Sequence, residues 1–382
     1  MQKKKSTIIN ILLLLFTIVI SLLVVEFLLR SFYIRDGLQH HIEIYSHSCY
    51  TKTRPSNISD RYVLTRIGTD VLFETNNLGF RDAQHELVKP DDTYRIVMVG
   101  DSMLEGREVE FKERLDQQLQ SLLQQKGQNV EVITFAVSSN HPRVYGQLLD
   151  CIGYQYNPDM VVVGYFPYND FRPFAKIDTD RYKEVIARTK NTDERTLQGS
   201  NENFIGTNIK LFGEKESRLL MFLYDTSQRI KAATETETSQ HFIDNGTFMD
   251  VYLGVDTSTS SKKYWNNKTD FLAYMSDEAV VHETDLLFVN LGMANAVKSD
   301  DGVFKEYGNS YTLEQYKNTI EKERDIFKNL EVGYIDLFPV LQDAHKEGGK
   351  SLYADGKHYS PRGHTVVAKE LESYIIEKIY EK

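Results

Sequence analysis

The pattern of hydrophobic and polar positions changes twice along this chain. A continuous apolar run extends from about Ile8 to Val25, and a polar stretch with few long apolar runs follows it to about residue 92. Beyond that, short β-branched apolar runs alternate with amphipathic stretches; the runs cover 94–99, 130–135, 159–166, 285–291 and 331–338. Runs with little alternation are typical of strands covered on both faces, so they predict a parallel sheet.

The amphipathic stretches between these runs have helical spacing. Residues 111–127 place leucines on one face and end in Gly127, which predicts a C-terminal cap, and residues 312–330 repeat the pattern. A last helix is predicted from Ser360, as its cap, and Pro361, in its first turn. Alternating strands and helices imply right-handed crossovers, so the predicted fold is a three-layer α/β/α sandwich with a parallel sheet.

The first apolar run is long enough to span a bilayer and lacks the polar stripe of a buried core helix. A cleaved signal peptide is the alternative, but no small-residue cleavage pattern follows the run, which favours an uncleaved transmembrane anchor. Lys3, Lys4 and Lys5 precede it, and the positive-inside rule keeps them in the cytoplasm. The expected localisation is therefore the cell membrane, as a single-pass protein whose main domain is extracytoplasmic.

These changes of pattern predict three parts of the chain. Residues 1–33 form a cytoplasmic tail and anchor, residues 34–92 a stalk with a small subdomain, and residues 93–382 the α/β domain. Within the last part, about 175–283 is polar and interrupts the rhythm, apart from one amphipathic piece at 214–233. We interpret it as an insertion over the carboxyl edge of the sheet, where open α/β sheets bind ligands; a disordered linker is the alternative.

Charge and cysteine content narrow the possible partners. The chain carries 45 Lys+Arg against 55 Asp+Glu, a net charge of −10, and no basic stripe follows the N-terminal lysines. Nucleic acid is therefore not expected as a partner. Cys49 and Cys151 are the only cysteines. In an oxidising compartment they can pair and close a loop worth up to ~4–5 kcal/mol, but two unpaired buried thiols fit the sequence equally well.

The first candidate catalytic residue lies where the first apolar run of the predicted sheet ends. Ser102, in Gly-Asp-Ser, follows the run directly and precedes a helix, close to backbone N–H groups that can stabilise an oxyanion. Near the other end of the chain, Asp355 stands three residues before His358. A serine hydroxyl needs an imidazole to accept its proton, and the imidazole needs a carboxylate to orient it. His364 is a competing base, but it falls inside the last helix and is expected to be a packed histidine.

A third polar signal follows the third run of the sheet, where Asn169 is expected at the same edge. Its amide can donate to an oxyanion beside the backbone N–H of Ser102. No metal-ligand spacing is present, and no Gly-rich phosphate loop follows the first run, so neither a metal nor a cofactor is expected. The nucleophile elbow of α/β-hydrolases, Gly-x-Ser-x-Gly, is also missing.

With these residues in place, the chain resembles the SGNH hydrolase family, the GDSL esterases/lipases, over about residues 94 to 379. The first block matches as "GDSMLEG" and the last as "DGKH". The resemblance implies an SGNH/flavodoxin-like fold with Ser102 as nucleophile, Asp355 and His358 as its partners, and Asn169 as an oxyanion donor. Upstream, "NNLGFRD" (76–82) is similar to a motif of membrane-anchored bacterial members, in which Arg81 has no expected role beyond a structural ion pair.

The chain departs from the family pattern at two positions. Ser139 stands where a glycine normally supplies the second backbone donor of the oxyanion hole, and Pro167 replaces the usual glycine of the third block. The predicted oxyanion hole consists of the N–H of Ser102, the N–H of Ser139 and the amide of Asn169. A serine can supply the same N–H only if it adopts the backbone conformation that glycine takes easily.

The expected function is an extracytoplasmic serine esterase that removes acyl groups, acetyl above all, from a cell-envelope or exported glycan through an acyl-enzyme on Ser102. Two alternatives stay open: an O-acyltransferase to a glycan hydroxyl with the same triad, and a non-catalytic glycan-binding module of a polysaccharide assembly. Tyr264, Trp265 and Tyr274 of the insertion are expected either to stack on sugar rings or to be buried in a lid.

Overall fold

The computed structural model describes most of the chain with several gaps. The described residues are 2–32, 34, 36–39, 45–47, 49–50, 53–171, 174, 177–189, 195–197, 217–220, 222–223, 226–227 and 248–381. Much of the amphipathic piece predicted at 214–233 therefore lies outside the described residues.

The strands are short, and five of them coincide with the predicted apolar runs. They are β1 Gly37–Leu38, β2 Tyr45–His47, β3 Ser59–Leu64, β4 Thr69–Glu74, β5 Tyr94–Gly100, β6 Val130–Ala136, β7 Met160–Tyr165, β8 Arg195–Leu197, β9 Asp285–Asn290, β10 Val303–Glu306, β11 Asn309–Thr312 and β12 Gly333–Asp336.

The helices vary from one turn to more than seven turns. They are α1 Gln2–Phe32, α2 Ser102–Glu105, α3 Leu115–Gln125, α4 Pro142–Cys151, α5 Pro167–Asp170, α6 Thr179–Thr189, α7 Thr259–Val281, α8 Ala294–Val297, α9 Leu313–Asn329, α10 Phe338–Lys346 and α11 Pro361–Glu381. Gly127 lies just beyond α3 with φ +84°, and the Ser360 hydroxyl accepts from the Gly363 N–H at 3.2 Å, so both predicted cap residues are confirmed.

The central sheet has the order β12-β9-β7-β5-β6, and every neighbouring pair is parallel. In chain order of these five strands this is 2-1-3-4-5, the flavodoxin-like arrangement, so the predicted fold class is confirmed. The strands are buried along almost their whole length, as continuous apolar runs require. The last strand is shorter than predicted because Glu331 takes φ +55° and Phe338 already begins a helix.

Helices cover both faces of this sheet. On one face α3 packs against α11, and α11 also contacts α10. On the other, α6 contacts both α4 and α7, and α7 packs on β9. Right-handed crossovers produce this division, because the chain reverses direction across the sheet after β6. The reversal opens a switch point between the carboxyl ends of β5 and β7, the place where such sheets bind ligands.

A smaller antiparallel sheet, β1-β3-β4, precedes the parallel one. It has its own small core of buried residues: Leu38, Ile58, Tyr62, Leu64, Val71 and Phe73. A disulfide joins Cys49 of this N-terminal region to Cys151 at the end of α4, with a Cα–Cα distance of 6.2 Å. The two cysteines, for which the sequence left both states open, are therefore paired.

The first helix, α1, is long and apolar enough to cross a membrane over Thr7–Phe32, and none of its most apolar stretch is buried against the rest of the chain. This agrees with the predicted anchor in length and composition. Its one carboxylate, Glu26, lies near the C-terminal end of the helix and accepts from the backbone N–H groups of Arg218 and Leu219. The predicted amphipathic piece thus contacts α1 where it is described.

Within the predicted insertion, α7 is the crossover helix between β7 and β9. The sequence did not predict it because its first half is polar and because Lys268, one of its buried positions, breaks the apolar period. Trp265 and Tyr274 are buried, and Tyr264 packs against the same core, so these aromatic residues are buried as one alternative expected, but in the main core rather than in a lid. The domain boundaries at residues 34, 93 and about 175 stay predictions.

Candidate active site

Ser102 begins α2 directly after β5, at the carboxyl edge of the sheet. Asp101 is the N-cap of this one-turn helix, since its Oδ1 accepts from the Met103 N–H at 2.9 Å. A capped helix immediately after a buried strand is what an Asp-Ser pair at a strand end favours. The position leaves the backbone N–H of Ser102, in the first turn, without an intrahelical acceptor.

His358 brings the predicted residues into one chain of hydrogen bonds. Its Nε2 lies 2.9 Å from the Ser102 hydroxyl, and its Nδ1 lies 2.9 Å from Oδ2 of Asp355. The other oxygen of Asp355 accepts from the backbone N–H groups of Lys357 and His358, which fixes the carboxylate in the turn before α11. We call this hydrogen-bonded series of Ser102, His358 and Asp355 the relay. Ser102 and His358 are 256 positions apart in the chain.

The titration of the two partners follows from these contacts. Burial lowers the pKa of His358, but the hydrogen bond that its Nδ1–H donates to Asp355 and the charges of Glu108 and Asp355 outweigh this effect, so the pKa lies above its ordinary value. Burial opposes ionisation of Asp355, yet His358 and two backbone N–H groups hold the pKa of this carboxyl well below its usual range. Asp355 is therefore a carboxylate throughout the pH range in which the imidazole titrates.

His364, the competing base, is buried inside α11. Burial lowers its pKa to about 3. It contacts neither the Ser102 hydroxyl nor a carboxylate by hydrogen bond within the described residues, and its Nδ1 has no hydrogen-bond partner there. The structure thus assigns the hydrogen bond with Ser102 to His358 and makes His364 a packed core histidine, as predicted.

Asn169 lies in α5, just beyond β7, on the other side of the switch point. Its Nδ2 donates to Oδ2 of Asp101 at 2.9 Å, and within the described residues its Oδ1 has no partner. An amide group carries two N–H bonds, so one remains for a ligand. Pro167 occupies the first turn of α5, where a missing N–H costs nothing, so this departure from the family pattern fits the local backbone.

Ser139 follows β6, the strand beside β5, and its φ is +65°. It therefore adopts the left-handed backbone conformation that glycine normally occupies, at a cost of roughly 1–2 kcal/mol. The neighbouring Ser138 is fixed by Glu105 of α2, whose Oε2 accepts from the Ser138 N–H at 2.9 Å. Burial opposes the charge of Glu105, but Arg54, Arg107 and Ser138 lower its pKa to about 2, so it binds this loop as a carboxylate.

Sequence reasoning missed three contributors to this region. Asp101 connects Ser102 to Asn169, and its position before a helix start was a usable N-cap signal. Arg66, from the turn between β3 and β4, donates to Oδ2 of Asp355 at 3.2 Å, which brings the small N-terminal sheet to the site. Glu108 lies 3.4 Å from Nδ1 of His358, and nothing in its sequence context indicates that contact.

Arg81 has a different role from the structural ion pair that was expected. Within the described residues it makes no ion pair with a carboxylate; it donates to the backbone carbonyls of Glu105, Gly106 and Val109. The carbonyls at the end of a short helix have no intrahelical donors, so a buried guanidinium satisfies them. The "NNLGFRD" motif therefore holds the loop that follows α2 in place.

One group of side chains has the composition of a metal site. Glu108, Asp355 and His358 offer ligand atoms that all lie within 4.8 Å of one another. Arg66 and Arg107 lie 3.2 Å from Asp355 and 3.9 Å from Glu108, so two guanidinium groups already occupy the surroundings of the carboxylates. A metal ion at this place would be repelled by both guanidinium charges. The arrangement therefore suits the imidazolium of His358 better than a metal ion.

No family model matches the chain, and no curated protein matches it. Solved structures are similar to it. The acetyl xylan esterase AlAXEase is 13% identical with a TM-score of 0.38, over 74% of this chain and 99% of that chain. The acetylxylan esterase Axe2 from Geobacillus stearothermophilus is 13% identical with a TM-score of 0.36, over 72% and 91%. The psychrotrophic esterase EstA from Pseudoalteromonas sp. is 10% identical with a TM-score of 0.35, over 76% and 100%.

All three of these proteins are esterases, the class of protein that the "GDSMLEG" block resembles. The identities and TM-scores are too low to carry a conclusion about activity. The function proposed below therefore depends on the geometry of the chain's own residues.

Proposed function

We propose that this protein is a membrane-anchored serine esterase of the SGNH type, and the hydrogen-bond relay of Ser102, His358 and Asp355 is the observation that carries the proposal. In the first step the Ser102 oxygen bonds to the ester carbonyl carbon while His358 Nε2 takes the hydroxyl proton. The carboxylate of Asp355 holds the Nδ1–H and stabilises the imidazolium.

Collapse of the tetrahedral intermediate breaks the bond to the alcohol, which leaves with the proton from His358, and an acyl-enzyme on Ser102 remains. A water molecule then gives its proton to His358 and attacks the acyl carbon, which releases a carboxylic acid and regenerates the serine. The oxyanion in both steps is held by the N–H of Ser102, the N–H of Ser139 and the amide of Asn169. The left-handed backbone of Ser139 and the N-terminal position of Ser102 support this assignment.

The proposed compartment is extracytoplasmic. Lys3 to Lys5 precede α1, and the positive-inside rule keeps that end in the cytoplasm. The disulfide between Cys49 and Cys151 supports the same orientation because disulfides persist in oxidising compartments. An anchored active site reaches only what lies near the outer face of the membrane, so we propose as substrate an acylated, above all acetylated, cell-envelope or exported glycan.

The test is covalent labelling of the full chain in detergent micelles with a fluorophosphonate, followed by peptide mapping. Wild-type protein should be labelled at Ser102, and Ser102→Ala and His358→Ala should lose labelling by about 10⁴-fold or more, since nucleophile and base act as a unit. Ser121→Ala, on the exposed surface of α3, is the matched control and should label normally.

Wild-type protein that is folded yet unlabelled at Ser102 would overturn the esterase and favour a binding module. Labelled protein that leaves simple acyl esters intact in water, but moves the acyl group to an added glycan, would establish the transferase instead. Hydrolysis of small acyl esters at a rate that depends on Ser102 and His358 is the result that the proposal expects.

A further inference from the structure

We propose that Glu108 is a second carboxylate partner of His358, a positioning residue that shares the Nδ1–H of the imidazole with Asp355 during acyl transfer. The inference rests on the esterase activity proposed above. It assigns to the site a residue that the Ser-His-Asp pattern does not contain.

The geometry around Nδ1 of His358 carries the proposal. Asp355 Oδ2 lies 2.9 Å from this atom and Glu108 Oε1 lies 3.4 Å from it. Glu108 is only 6% exposed, and neither of its carboxylate oxygens accepts a hydrogen bond from another residue in the described part of the chain. Buried carboxylates without partners are costly and therefore rare, so an open pair of acceptors beside a titrating imidazole calls for a function.

The backbone holds Glu108 in this position from both sides. The helix that begins with Ser102 ends at Gly106, which has φ +57° and whose Cβ, if present, would lie 2.9 Å from a side-chain carbon of Arg114. Arg81 then donates to carbonyls on either side of Glu108, those of Glu105 at 3.3 Å and of Val109 at 2.8 Å. The "NNLGFRD" motif thereby fixes the loop on which Glu108 stands.

Two guanidinium groups lie near the two carboxylates. Arg66 lies 3.2 Å from Asp355, and Arg107 lies 3.9 Å from Glu108 and 3.5 Å from Glu105, so Arg107 is shared between two carboxylates. Among the described residues, other ionisable groups also act electrostatically on this cluster: those of Asp101, His364, Tyr62, Arg81 and Lys298. When His358 gains a proton, it faces two acidic groups rather than one.

The titration of both groups is consistent with this geometry. The charge of Glu108 helps to raise the pKa of His358 against the effect of burial. Burial raises the pKa of Glu108, while His358 and Arg107 lower it. Formation of the imidazolium therefore favours the carboxylate form of Glu108, so the two groups stabilise each other at the moment when the proton leaves Ser102.

The experiment measures the rate of fluorophosphonate labelling at Ser102 from about pH 5 to about pH 9, in the full chain. The variants are Glu108→Gln, Asp355→Asn and the double variant; Glu110→Gln is the matched control, since it lies on the same loop and glutamine keeps an acceptor for the capping bond. Glu108→Gln should slow labelling roughly 10-fold at neutral pH and move the acid limb of the profile to lower pH, because a negative charge beside the imidazole is lost.

The double variant should label at least about 10-fold more slowly than Asp355→Asn alone, because Glu108 then no longer replaces the missing carboxylate. A merely structural role of Glu108 would lower the rate without shifting the acid limb, and would lower the melting temperature as well. If wild type labels at Ser102 and the Glu108→Gln profile coincides with that of Glu110→Gln, the inference is wrong and the esterase stands. If wild type does not label at all, both fail.

Discussion

Two clusters of buried charge differ in how completely their polar atoms are satisfied. Lys268 of α7 forms an ion pair with Glu323 of α9, and both side chains are almost fully buried. The second oxygen of Glu323 accepts from Asn290 and from Tyr334, each at 3.1 Å. Beside Ser102, in contrast, neither oxygen of Glu108 accepts a hydrogen bond from another of the described residues.

The difference separates a structural cluster from a reactive one. In the first, each charge is compensated, and aromatic rings surround the ammonium group, with Tyr165 and Trp265 at 4.5 and 5.1 Å. Such a network attaches two helices to the sheet but leaves no capacity for a ligand. In the second cluster, the carboxylate oxygens of Glu108 are still able to accept a proton or a hydrogen bond from a substrate group during the proposed reaction. Folded proteins accept that cost mainly at functional sites.

The largest expected effect is on stability, at the cluster of Lys268 and Glu323. Lys268→Met should lower the free energy of unfolding by about 3–5 kcal/mol, because Glu323 is left as a buried charge without its partner. Chemical denaturation of the full chain in detergent measures this, and labelling at Ser102 of the folded variant should stay normal. Lys262→Met, an exposed position on the same helix, should change little.

A second variant tests the physical reason. Lys268→Met combined with Glu323→Gln removes the uncompensated charge while the amide oxygen still accepts from Asn290 or Tyr334, so stability should return most of the way to wild type. If Lys268→Met alone is as stable as Lys262→Met, the ion pair contributes nothing and the contrast between the two clusters is lost.

The opposite behaviour is expected for Glu108→Gln, whose labelling is slowed as described above. Its melting temperature should equal or exceed that of wild type at neutral pH. Burial raises the pKa of Glu108 above its value in the unfolded chain, so ionisation of Glu108 opposes folding. The stability that this group contributes is fully present below its unfolded-state pKa and is lost as the pH rises through its folded-state pKa. The glutamine variant does not titrate, so its advantage should grow with pH.

Thermal unfolding of both proteins over a pH series, with Glu110→Gln as control, measures that difference. A variant that melts below wild type at neutral pH would mean that the Glu108 carboxylate stabilises the fold. The charged groups of both clusters would then stabilise the fold, and the two clusters would differ only in the number of their hydrogen bonds.

The sequence predicted the sheet well and the surroundings of the site less well. Strands β5, β6, β7 and β9 were identified within one or two residues because burial on both faces leaves a continuous apolar run. The relay residues were predicted because each stands at a strand end or before a helix start, where local chemistry marks them. Glu108 and Arg66 have no such mark, since only the packing of the small N-terminal sheet and the loop after α2 brings them to His358.

The helix α7 shows the second limit of the sequence. Its buried positions include Trp265, Lys268, Phe271 and Met275, which have helical spacing, but a lysine among them hides the pattern. Lys268 is buried only because Glu323 faces it from another helix, and a pair formed by residues 55 positions apart cannot be seen in a local window. Long-range charge pairing was thus the main source of error.

The smallest expected effect concerns Ser139, where the backbone rather than a charge carries the cost. With φ +65°, a serine is strained by roughly 1–2 kcal/mol, and glycine would remove that strain while adding about 0.5–1 kcal/mol of chain entropy to the unfolded state. Ser139→Gly should therefore raise the free energy of unfolding by about 0–1.5 kcal/mol and keep labelling at Ser102. Ser139→Ala keeps the strain and should be less stable than Ser139→Gly, as thermal unfolding would measure. If the two variants are equally stable, the strain at this position is no larger than the entropy that glycine adds to the unfolded state, about 0.5–1 kcal/mol. If Ser139→Gly loses labelling, the serine side chain has a role beyond the backbone N–H proposed for the oxyanion hole.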